Sequence, residues 1–216
     1  MTDGSAVQTQ PKDSPIKRAM DVVLASAGLL VTAPAWILLP LAIKLEDGGT
    51  VFYEQERVGR GGRHFTSWKF RSMKPLEDGS GPLMQAHLED GRITRVGRFM
   101  RATALDELPQ LLSIVRGDMS LVGPRALLPV EVVSGEDGEP VRLEEIPGYW
   151  ERHSVRPGLT GIAQVHAPRD ITHENKFRYD LLYVRQRSIT LDLFLIARSV
   201  WNSLTGAWPS VGKDKW

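Results

Sequence analysis

Two adjacent carboxylates and a nearby arginine are the residues of this sequence best suited to chemistry. Asp106 and Glu107 stand at the start of a stretch with leucine and valine at helical spacing, which Gly117 is placed to end. In the first turn of a helix, unpaired N–H groups and the positive end of the helix dipole favour ionised carboxylates. The sequence therefore predicts that Asp106 is an anion at neutral pH. A Gly-Pro-Arg turn that ends in Arg125 follows this stretch. An anionic carboxylate beside such a turn suggests phosphate chemistry.

The same carboxylates have a simpler interpretation. Acidic residues at helix starts most often act as caps, and on these residues alone the capping role is the favoured one. The choice between a cap and a catalytic pair therefore depends on the rest of the chain.

Composition narrows the classes of protein that the chain can belong to. A length of 216 residues accommodates one good core, and 27 basic and 26 acidic residues nearly cancel, so the charge gives no reason to expect nucleic acid. The absence of cysteine excludes disulfides, thiolate metal sites and a cysteine nucleophile. Neither a Walker loop nor a Gly-x-Gly-x-x-Gly turn is present, and the five histidines have no metal-ligand spacing.

An uncharged run from Val22 to Ile43 follows a polar segment, residues 1–16, that is predicted to be a disordered tail. As one straight helix at about 1.5 Å per residue, this run would be long enough to cross a bilayer. Pro34 argues against a straight helix, because proline removes a backbone hydrogen bond and clashes with the preceding turn. Basic residues flank both ends, which favours placing both in the cytoplasm. We therefore expect residues 17–45 to form a re-entrant membrane helix that breaks at Pro34. The alternatives, a helix that spans the membrane and a core helix of a soluble protein, are less favoured.

Residues 46–204 are predicted to form a cytosolic domain, so that the whole chain is α+β and mainly helical. Thr50–Tyr53 and His64–Phe70 are rich in β-branched and aromatic residues and flank a glycine-rich turn, which indicates a small β-hairpin. Alternation on the second strand points Lys69 and Arg71 to one face. That face would meet phosphate or solvent equally often.

Four arginines recur every third residue ahead of the central stretch: Arg92, Arg95, Arg98 and Arg101. On a helix they form a basic stripe beside an apolar one, which is typical of an amphipathic helix in a membrane interface with anionic head groups. The alternative, a solvated face of a core helix, would need more acidic partners than the sequence offers. Arg101, the arginine nearest Asp106, can instead face the site.

The second half of the chain predicts an insertion and two helices. Residues 73–90 and the acidic segment 130–145 are predicted to be loops, the second of them exposed. Glu174–Gln186 and Leu191–Leu204 have helical periodicity, and the second has an apolar face that packs on the core or rests on lipid. Residues 205–216 are predicted to be a C-terminal tail.

Seven motifs, in order from about residue 16 to 204, resemble the monotopic phosphoglycosyl transferases, the bacterial sugar transferases that start glycan assembly on polyprenyl phosphate. Each motif alone is weak evidence, but the ordered series is specific. The chain looks like the catalytic core of that family. The motifs are Lys17-Arg-Ala-Met-Asp21, Phe52 with Gln55-Glu-Arg-Val-Gly59, Lys69-Phe-Arg-Ser-Met73, Leu105-Asp-Glu-Leu-Pro-Gln110, Gly117-Asp-Met-Ser-Leu-Val-Gly-Pro-Arg125, Arg156-Pro-Gly-Leu-Thr-Gly161 and Asp180-Leu-Leu-Tyr-Val184.

The resemblance implies a two-step reaction at the cytosolic face of the bacterial inner membrane. The carboxylate matching Asp106 attacks the sugar-bearing phosphorus of a UDP-sugar and expels UMP, and polyprenyl phosphate then takes the phosphosugar from the aspartyl intermediate. Glu107 assists, and Mg²⁺ contacts Asp106 and neutralises charge on the diphosphate. The resemblance also implies contacts with phosphate or substrate for four residues: Lys69, Arg101, Arg125 and Asp180.

Some features of the sequence depart from this picture or leave it open. Many members of the family have Ser-Pro at the helix break, whereas this chain has Ala33-Pro34, so Thr32 or another group must supply the missing hydrogen-bond donor. A non-catalytic membrane scaffold and a single-span protein with a soluble binding domain are the competing classes of function. The sugar is not indicated, and the resemblance leaves a homodimer open.

Overall fold

The computed structural model describes residues 14–74, 91–129, 132–134, 140–168 and 171–207. Its α-helices are α1 Pro15–Val31, α2 Ala35–Asp47, α3 Arg95–Thr103, α4 Gln110–Arg116, α5 Tyr149–Arg152, α6 Ile162–His166, α7 His173–Gln186 and α8 Ile189–Thr205. Its strands are β1 Phe52–Val58, β2 His64–Phe70, β3 Ser120–Val122, β4 Val132–Ser134, β5 Pro140–Arg142 and β6 Gly158–Thr160. The predicted mixed, mainly helical class is confirmed, as are the two C-terminal helices.

Several predicted segments fall wholly or partly outside the described residues. These are most of the tail 1–16, most of the loop 73–90, and all but the first three residues of the tail 205–216. Helix α1 begins at Pro15, inside the predicted tail, because proline suits the first turn of a helix, where its missing N–H would have no partner.

Helices α1 and α2 form the bent pair predicted at Pro34. Helix α1 ends at Val31, α2 begins at Ala35, and the two are bent by 57°. The Thr32 hydroxyl donates to the Gly28 carbonyl at 2.7 Å, while the Leu30 carbonyl, four residues before Pro34, accepts from the Ala33 N–H at 3.2 Å. Within the described ranges, no single helix is long and apolar enough to cross a membrane. The bent pair meets that criterion only when both helices are counted together.

Strands β1 and β2 form the predicted hairpin, with Phe52 opposite Phe70 and Val58 opposite His64. The predicted first strand ends too early, since exposed and half-buried side chains continue to alternate to the end of β1. The Val58 N–H donates to the Leu127 carbonyl at 2.9 Å. This bond docks the hairpin onto the segment that follows the Gly-Pro-Arg turn.

The central stretch folds as helix, turn, helix. Helix α3 is terminated by its C-cap Ala104, whose φ of 57° lies in the left-handed region and is the only positive φ at a described non-glycine residue. Leu105–Glu107 then form a 3-10 turn, and α4 begins only at Gln110. The prediction that the first turn of α4 contains the two carboxylates is wrong. The cause is Pro109, which has no N–H to continue an α-helical ladder backwards.

Strands β3 and β6 pair in parallel at the centre of the molecule, with Ser120 opposite Gly158 and Val122 opposite Thr160. Helices α1, α4, α6, α7 and α8 contribute apolar side chains around them, so one core joins the N-terminal helix to the rest of the fold. Its buried members are Ala25, Leu111, Ile114, Met119, Leu121, Val122, Ile162, Val165, Tyr183 and Leu195.

A buried charged cluster fastens α1 to α8. The Lys17 ammonium donates to the Asp192 carboxylate at 2.7 Å and lies 3.7 Å from Asp21. The hydroxyl of Tyr183 lies 2.8 Å from Asp192, and that of Ser120 donates to Asp21 at 2.8 Å. Buried charges need such partners, so the position of α1 is fixed by polar as well as apolar contacts.

The described parts of the segment 130–145 contain two paired strands where an exposed loop was predicted. Strands β4 and β5 pair antiparallel, with Val133 opposite Val141, and both valines pack against a second buried cluster that includes Leu143. Residues 130–131 and 135–139 lie outside the described residues. The valines fit a half-buried strand, and this tertiary contact outweighs the acidic composition on which the loop prediction depended.

Candidate active site

Lys69, Asp106 and Glu107 meet where the hairpin contacts the 3-10 turn. The Lys69 ammonium donates to the Glu107 carboxylate and forms an ion pair with it, and these side chains are only 20% and 21% exposed. Position 69 lies near the end of β2, so the strand aims a cation at the turn. The Lys69 side chain therefore meets a charged group of the protein and does not extend into solvent.

Asp106 and Glu107 do not cap helix α4. The N-cap of α4 is Pro109, and no side chain caps that helix. At α3, the capping carboxylate is that of Glu46, which accepts from the Arg95 and Val96 N–H groups at 2.6 and 3.0 Å. The favoured simple interpretation of the pair is therefore wrong, because the helix starts three residues after Glu107.

The environment pushes the acidities of the two carboxylates apart. Burial raises the pKa of Asp106 to about 6, against the opposing charges of Lys69 and Arg101 and with a further increase from Glu107. Burial would raise the pKa of Glu107 too, but the charges of Lys69 and Arg125 hold it at about 2. Asp106 is thus mainly ionised at pH 7, as predicted. The charges of Lys69 and Arg101, and not a helix terminus, keep its pKa below 7 against the effect of burial. Paired groups with separated pKa values are typical of catalytic sites.

Asp106 is also the carboxylate without a side-chain partner. Among the residues that the structure describes, no side chain donates a hydrogen bond to it, whereas Glu107 is held by Lys69. Asp106 is half-buried and not sealed in the core. An ionised and unengaged carboxylate in cationic surroundings can act as a nucleophile.

Arg125 combines a fixed backbone with an unengaged side chain. Its N–H donates to the Asp180 carboxylate, and its carbonyl accepts from Arg152 at 2.5 Å. The guanidinium is exposed and, within the described part of the chain, has no hydrogen-bond or ion-pair partner. Its charge lowers the pKa of Glu107, so it faces the same site. The structure thus brings the charge of Arg125 to the carboxylates, and its contact with phosphate stays a prediction.

Arg101 and Arg57 complete the cationic surroundings. Arg101 is half-buried, lies against Met73 and lowers the pKa of Asp106 by its charge. Arg57, to which the sequence analysis assigned no role, lowers the pKa of Glu107 and donates to the Ala126 carbonyl at 3.0 Å. The signal that could have found it is the alternation of β1, which places Arg57 on the same half-buried face as residues 53 and 55.

Two predicted contacts have different partners in the structure. Asp180 is 4% exposed and is paired with Arg152, whose Nε donates to it at 2.9 Å and whose Nη2 lies 2.8 Å from it; its contact with substrate stays a prediction. The pair has a physical reason, since buried Arg152 requires an anionic partner. Arg71 is likewise engaged: it pairs with Asp47 rather than joining Lys69 on a phosphate-facing surface.

Metal-ligand density at the site is low. No group of three or more histidine, aspartate or glutamate side chains is placed to hold a metal within the described ranges. Magnesium usually keeps several waters and is bound through one or two carboxylates together with substrate phosphates. The unengaged Asp106 carboxylate fits such a sparse site, whereas Glu107 is already paired with Lys69.

Comparison with known proteins identifies the family. The model of the bacterial sugar transferase family matches residues 12–206. The chain belongs to the bacterial sugar transferases. This confirms the family predicted from the motif series.

Individual relatives of this sugar transferase are similar over most of its length. The UDP-glucose:undecaprenyl-phosphate glucose-1-phosphate transferase of Escherichia coli (strain K12) is 40% identical over 190 residues, which are 86% of this chain and 39% of that protein. The protein with the same name from Caulobacter vibrioides is 42% identical over 194 residues, 88% of this chain and 70% of that protein. An Aeromonas hydrophila protein named as an N-acetylgalactosaminephosphotransferase acting on undecaprenyl phosphate is 38% identical over 195 residues, 88% of this chain and 44% of that protein.

Exposed apolar side chains of the sugar transferase concentrate on α1, α2 and α8. Helix α3 adds Phe99, which is 58% exposed beside exposed Arg95 and Arg98. The basic stripe predicted from Arg92 begins one turn later, because buried Thr94 is the N-cap of α3. The exposed apolar residues of the other three helices are Ile16, Val23, Leu24, Leu30, Val31, Ile37, Leu38, Leu41, Leu45, Leu193, Phe194, Val200, Trp201 and Leu204.

Proposed function

We propose that this protein transfers a sugar-1-phosphate from a UDP-sugar to polyprenyl phosphate, with release of UMP, as the first membrane step of glycan assembly. The observation that carries the proposal is the division of the carboxylate pair: Glu107 is paired with Lys69, and Asp106 is ionisable and unengaged. The family, and relatives named for sugar-phosphate transfer to undecaprenyl phosphate, support the same substrate class.

The chemistry follows from the unengaged oxygen of Asp106. This oxygen attacks the sugar-bearing phosphorus, the bond from that phosphorus to the bridging oxygen breaks, and UMP leaves with the electron pair. A phosphate oxygen of the polyprenyl acceptor then attacks the same phosphorus and displaces the Asp106 carboxylate, which is regenerated. The covalent intermediate divides one difficult transfer into two easier steps.

Cations around the pair stabilise the charge of the phosphates. Lys69 and Arg101 lower the pKa of Asp106, while Arg57 and Arg125 lower that of Glu107, so four positive side chains act on this site. They keep the nucleophile ionised and attract a diphosphate anion. Glu107 holds Lys69 in place. Mg²⁺ held by Asp106 and substrate oxygens would neutralise further charge on the diphosphate when bound.

The surroundings of the site support a location at the bilayer surface. The bent pair α1 and α2, exposed apolar residues on three helices, and the exposed Arg95, Arg98 and Phe99 of α3 suit a protein embedded in one leaflet. We propose a re-entrant α1–α2 pair with the catalytic residues at the cytosolic face of the bacterial inner membrane. There a soluble UDP-sugar and a lipid-borne phosphate can both reach Asp106.

UMP release tests the proposed function. Purified protein in detergent is incubated with Mg²⁺, polyprenyl phosphate and a panel of UDP-glucose, UDP-galactose and N-acetylated UDP-sugars. We expect UMP release with at least one donor, and more than 100-fold less in Asp106→Asn, because the amide is a poor nucleophile. The exposed variant Glu151→Gln is the control and should keep wild-type activity. Binding without turnover across the whole panel would instead indicate a non-catalytic scaffold.

A further inference from the structure

We infer that Asp180 and Arg152 are positioning residues: together they fix the backbone of Arg125 so that its guanidinium is presented to the phosphates of the substrate. This inference rests on the proposed function, since it assigns a role within the same site. It replaces the direct substrate contact expected of Asp180 with an indirect action through Arg125.

Arg152 is the centre of the arrangement. It is 1% exposed, yet every nitrogen of its guanidinium has a partner. Nε donates to Asp180, Nη2 donates to the Arg125 carbonyl and lies 2.8 Å from the same Asp180 oxygen, and Nη1 donates to His153 Nε2 at 3.0 Å. The guanidinium carbon lies 4.8 Å from the centre of the Phe177 ring. The orientation of this side chain is therefore fixed from several directions.

His153 secures the outer end of this arrangement. Because arginine can only donate, the His153 Nε2 must accept, and its Nδ1–H then donates to the Tyr149 carbonyl at 2.7 Å. Burial and the charge of Arg152 lower the pKa of His153 to about 3. The ring therefore stays neutral and can keep accepting from Arg152 at any physiological pH.

Both backbone polar groups of Arg125 are held by this pair. Its N–H donates to Asp180 and its carbonyl accepts from Arg152, while the neighbouring Pro124 carbonyl accepts from the Gly158 N–H at 2.9 Å. Arg57 holds the carbonyl of the next residue, Ala126, at 3.0 Å. The turn is thus tied down at three consecutive residues. Only the guanidinium of Arg125 extends from it without a protein partner in the described ranges.

A second arginine–carboxylate pair provides the matched comparison. Arg185 donates to Glu151 through Nε and Nη2 at 2.8 and 2.9 Å, one nitrogen to each carboxylate oxygen, whereas both nitrogens of Arg152 meet the same oxygen of Asp180. That pair is exposed, with 63% and 41% of the side-chain surfaces accessible. A buried ion pair is weak evidence for stability, because desolvation cancels much of the attraction. The two pairs therefore differ in the group that they position: the buried pair contacts the backbone of Arg125.

A double-mutant cycle tests the inference. Asp180→Asn and Arg152→Lys are each made in the wild-type and in the Arg125→Ala background, with Glu151→Gln as the control in both. The readouts are kcat/KM for UMP release, the Kd of UDP as a phosphate-bearing probe, and the thermal unfolding midpoint. Arg152→Lys keeps the charge but loses the fork, so it supplies the cycle if Asp180→Asn does not fold.

We expect Asp180→Asn to lower kcat/KM by about 10- to 100-fold in the wild-type background, because small misplacements of a catalytic group cost this much. In the Arg125→Ala background the same change should cost less than about threefold, since the group being positioned is already gone. The Kd of UDP should show the same non-additivity. Equal losses in both backgrounds would overturn the inference. Absence of UMP release from the wild type would contradict the proposed function instead, and the UDP cycle would still decide the positioning role.

Discussion

Lys69 donates its hydrogen bond to Glu107 and not to the adjacent Asp106. This choice of partner separates two carboxylates that are neighbours in sequence: Glu107 is fixed and strongly acidic, while Asp106 remains free to react. The resemblance implied a nucleophile and an assistant at these positions. The geometry supplies a physical reason for that order of roles.

The pH dependence of the first half-reaction should report the ionisation of Asp106. Its pKa is raised to about 6, so its carboxylate is lost as the pH falls through 6. Glu107, with a pKa of about 2, does not titrate in this window. We predict that single-turnover UMP formation falls about tenfold per pH unit below pH 6. The acceptor is left out, because phosphate monoesters also titrate near pH 6. A midpoint near 4 would contradict the assignment.

Substitutions on either side of Asp106 should move this midpoint in opposite directions. Lys69 lowers the pKa of Asp106 and Glu107 raises it. Lys69→Met should therefore shift the acidic limb of the profile to higher pH, and Glu107→Gln should shift it to lower pH. The measurement is single-turnover UMP formation between pH 5 and 8 for both variants. Shifts in the same direction would show that the limb reports some other group.

The buried cluster between α1 and α8 should control stability. Lys17→Met leaves the Asp21 and Asp192 carboxylates buried without their ammonium partner. Breaking a buried pair in this way costs about 3–5 kcal/mol, or roughly 10 °C in the unfolding midpoint of a chain of this size. Thermal unfolding in detergent measures the change. Glu151→Gln breaks an exposed pair and should leave the midpoint nearly unchanged, so equal effects would contradict a special role for the cluster.

The bend at Pro34 should determine the side on which the N-terminus lies. The chain has no cysteine, so Ser14→Cys introduces a single thiol at an exposed position just before α1. In intact cells a membrane-impermeant maleimide should label this thiol only after lysis. With Pro34→Ala added, a straighter helix becomes accessible, and we expect labelling of some molecules from outside. Labelling of Ser14→Cys alone from outside would contradict the re-entrant arrangement.

Sequence reasoning succeeded where the signal is local. The break at Pro34 follows from the chemistry of proline, and the strand containing Lys69 follows from alternation in β2. The predicted start of α4, Asp106, is four residues before the observed start, Gln110, although Pro109 is visible in the sequence, because periodicity continues through the 3-10 turn. The motif series identified the family without any of these boundaries.

The pairings that organise the site were beyond reach from one sequence. Arg152 and Asp180 are 28 residues apart, and nothing in either segment indicates that they meet. Arg57 reaches the Ala126 carbonyl across 69 residues. Such contacts depend on the packing of the hairpin and of α5 and α7, so the resemblance implied a role for Asp180 but not its buried ion pair with Arg152.

The central claim is that Asp106 becomes covalently linked to the phosphosugar, and intact-protein mass spectrometry tests it most directly. The protein is incubated with Mg²⁺ and its preferred UDP-sugar in the absence of polyprenyl phosphate, quenched, and mapped by peptides. We predict an added mass of one sugar phosphate on the peptide containing Asp106. The adduct should be retained in Glu151→Gln and lost in Asp106→Asn. An adduct on any other residue, or UMP release without an adduct, would contradict the account.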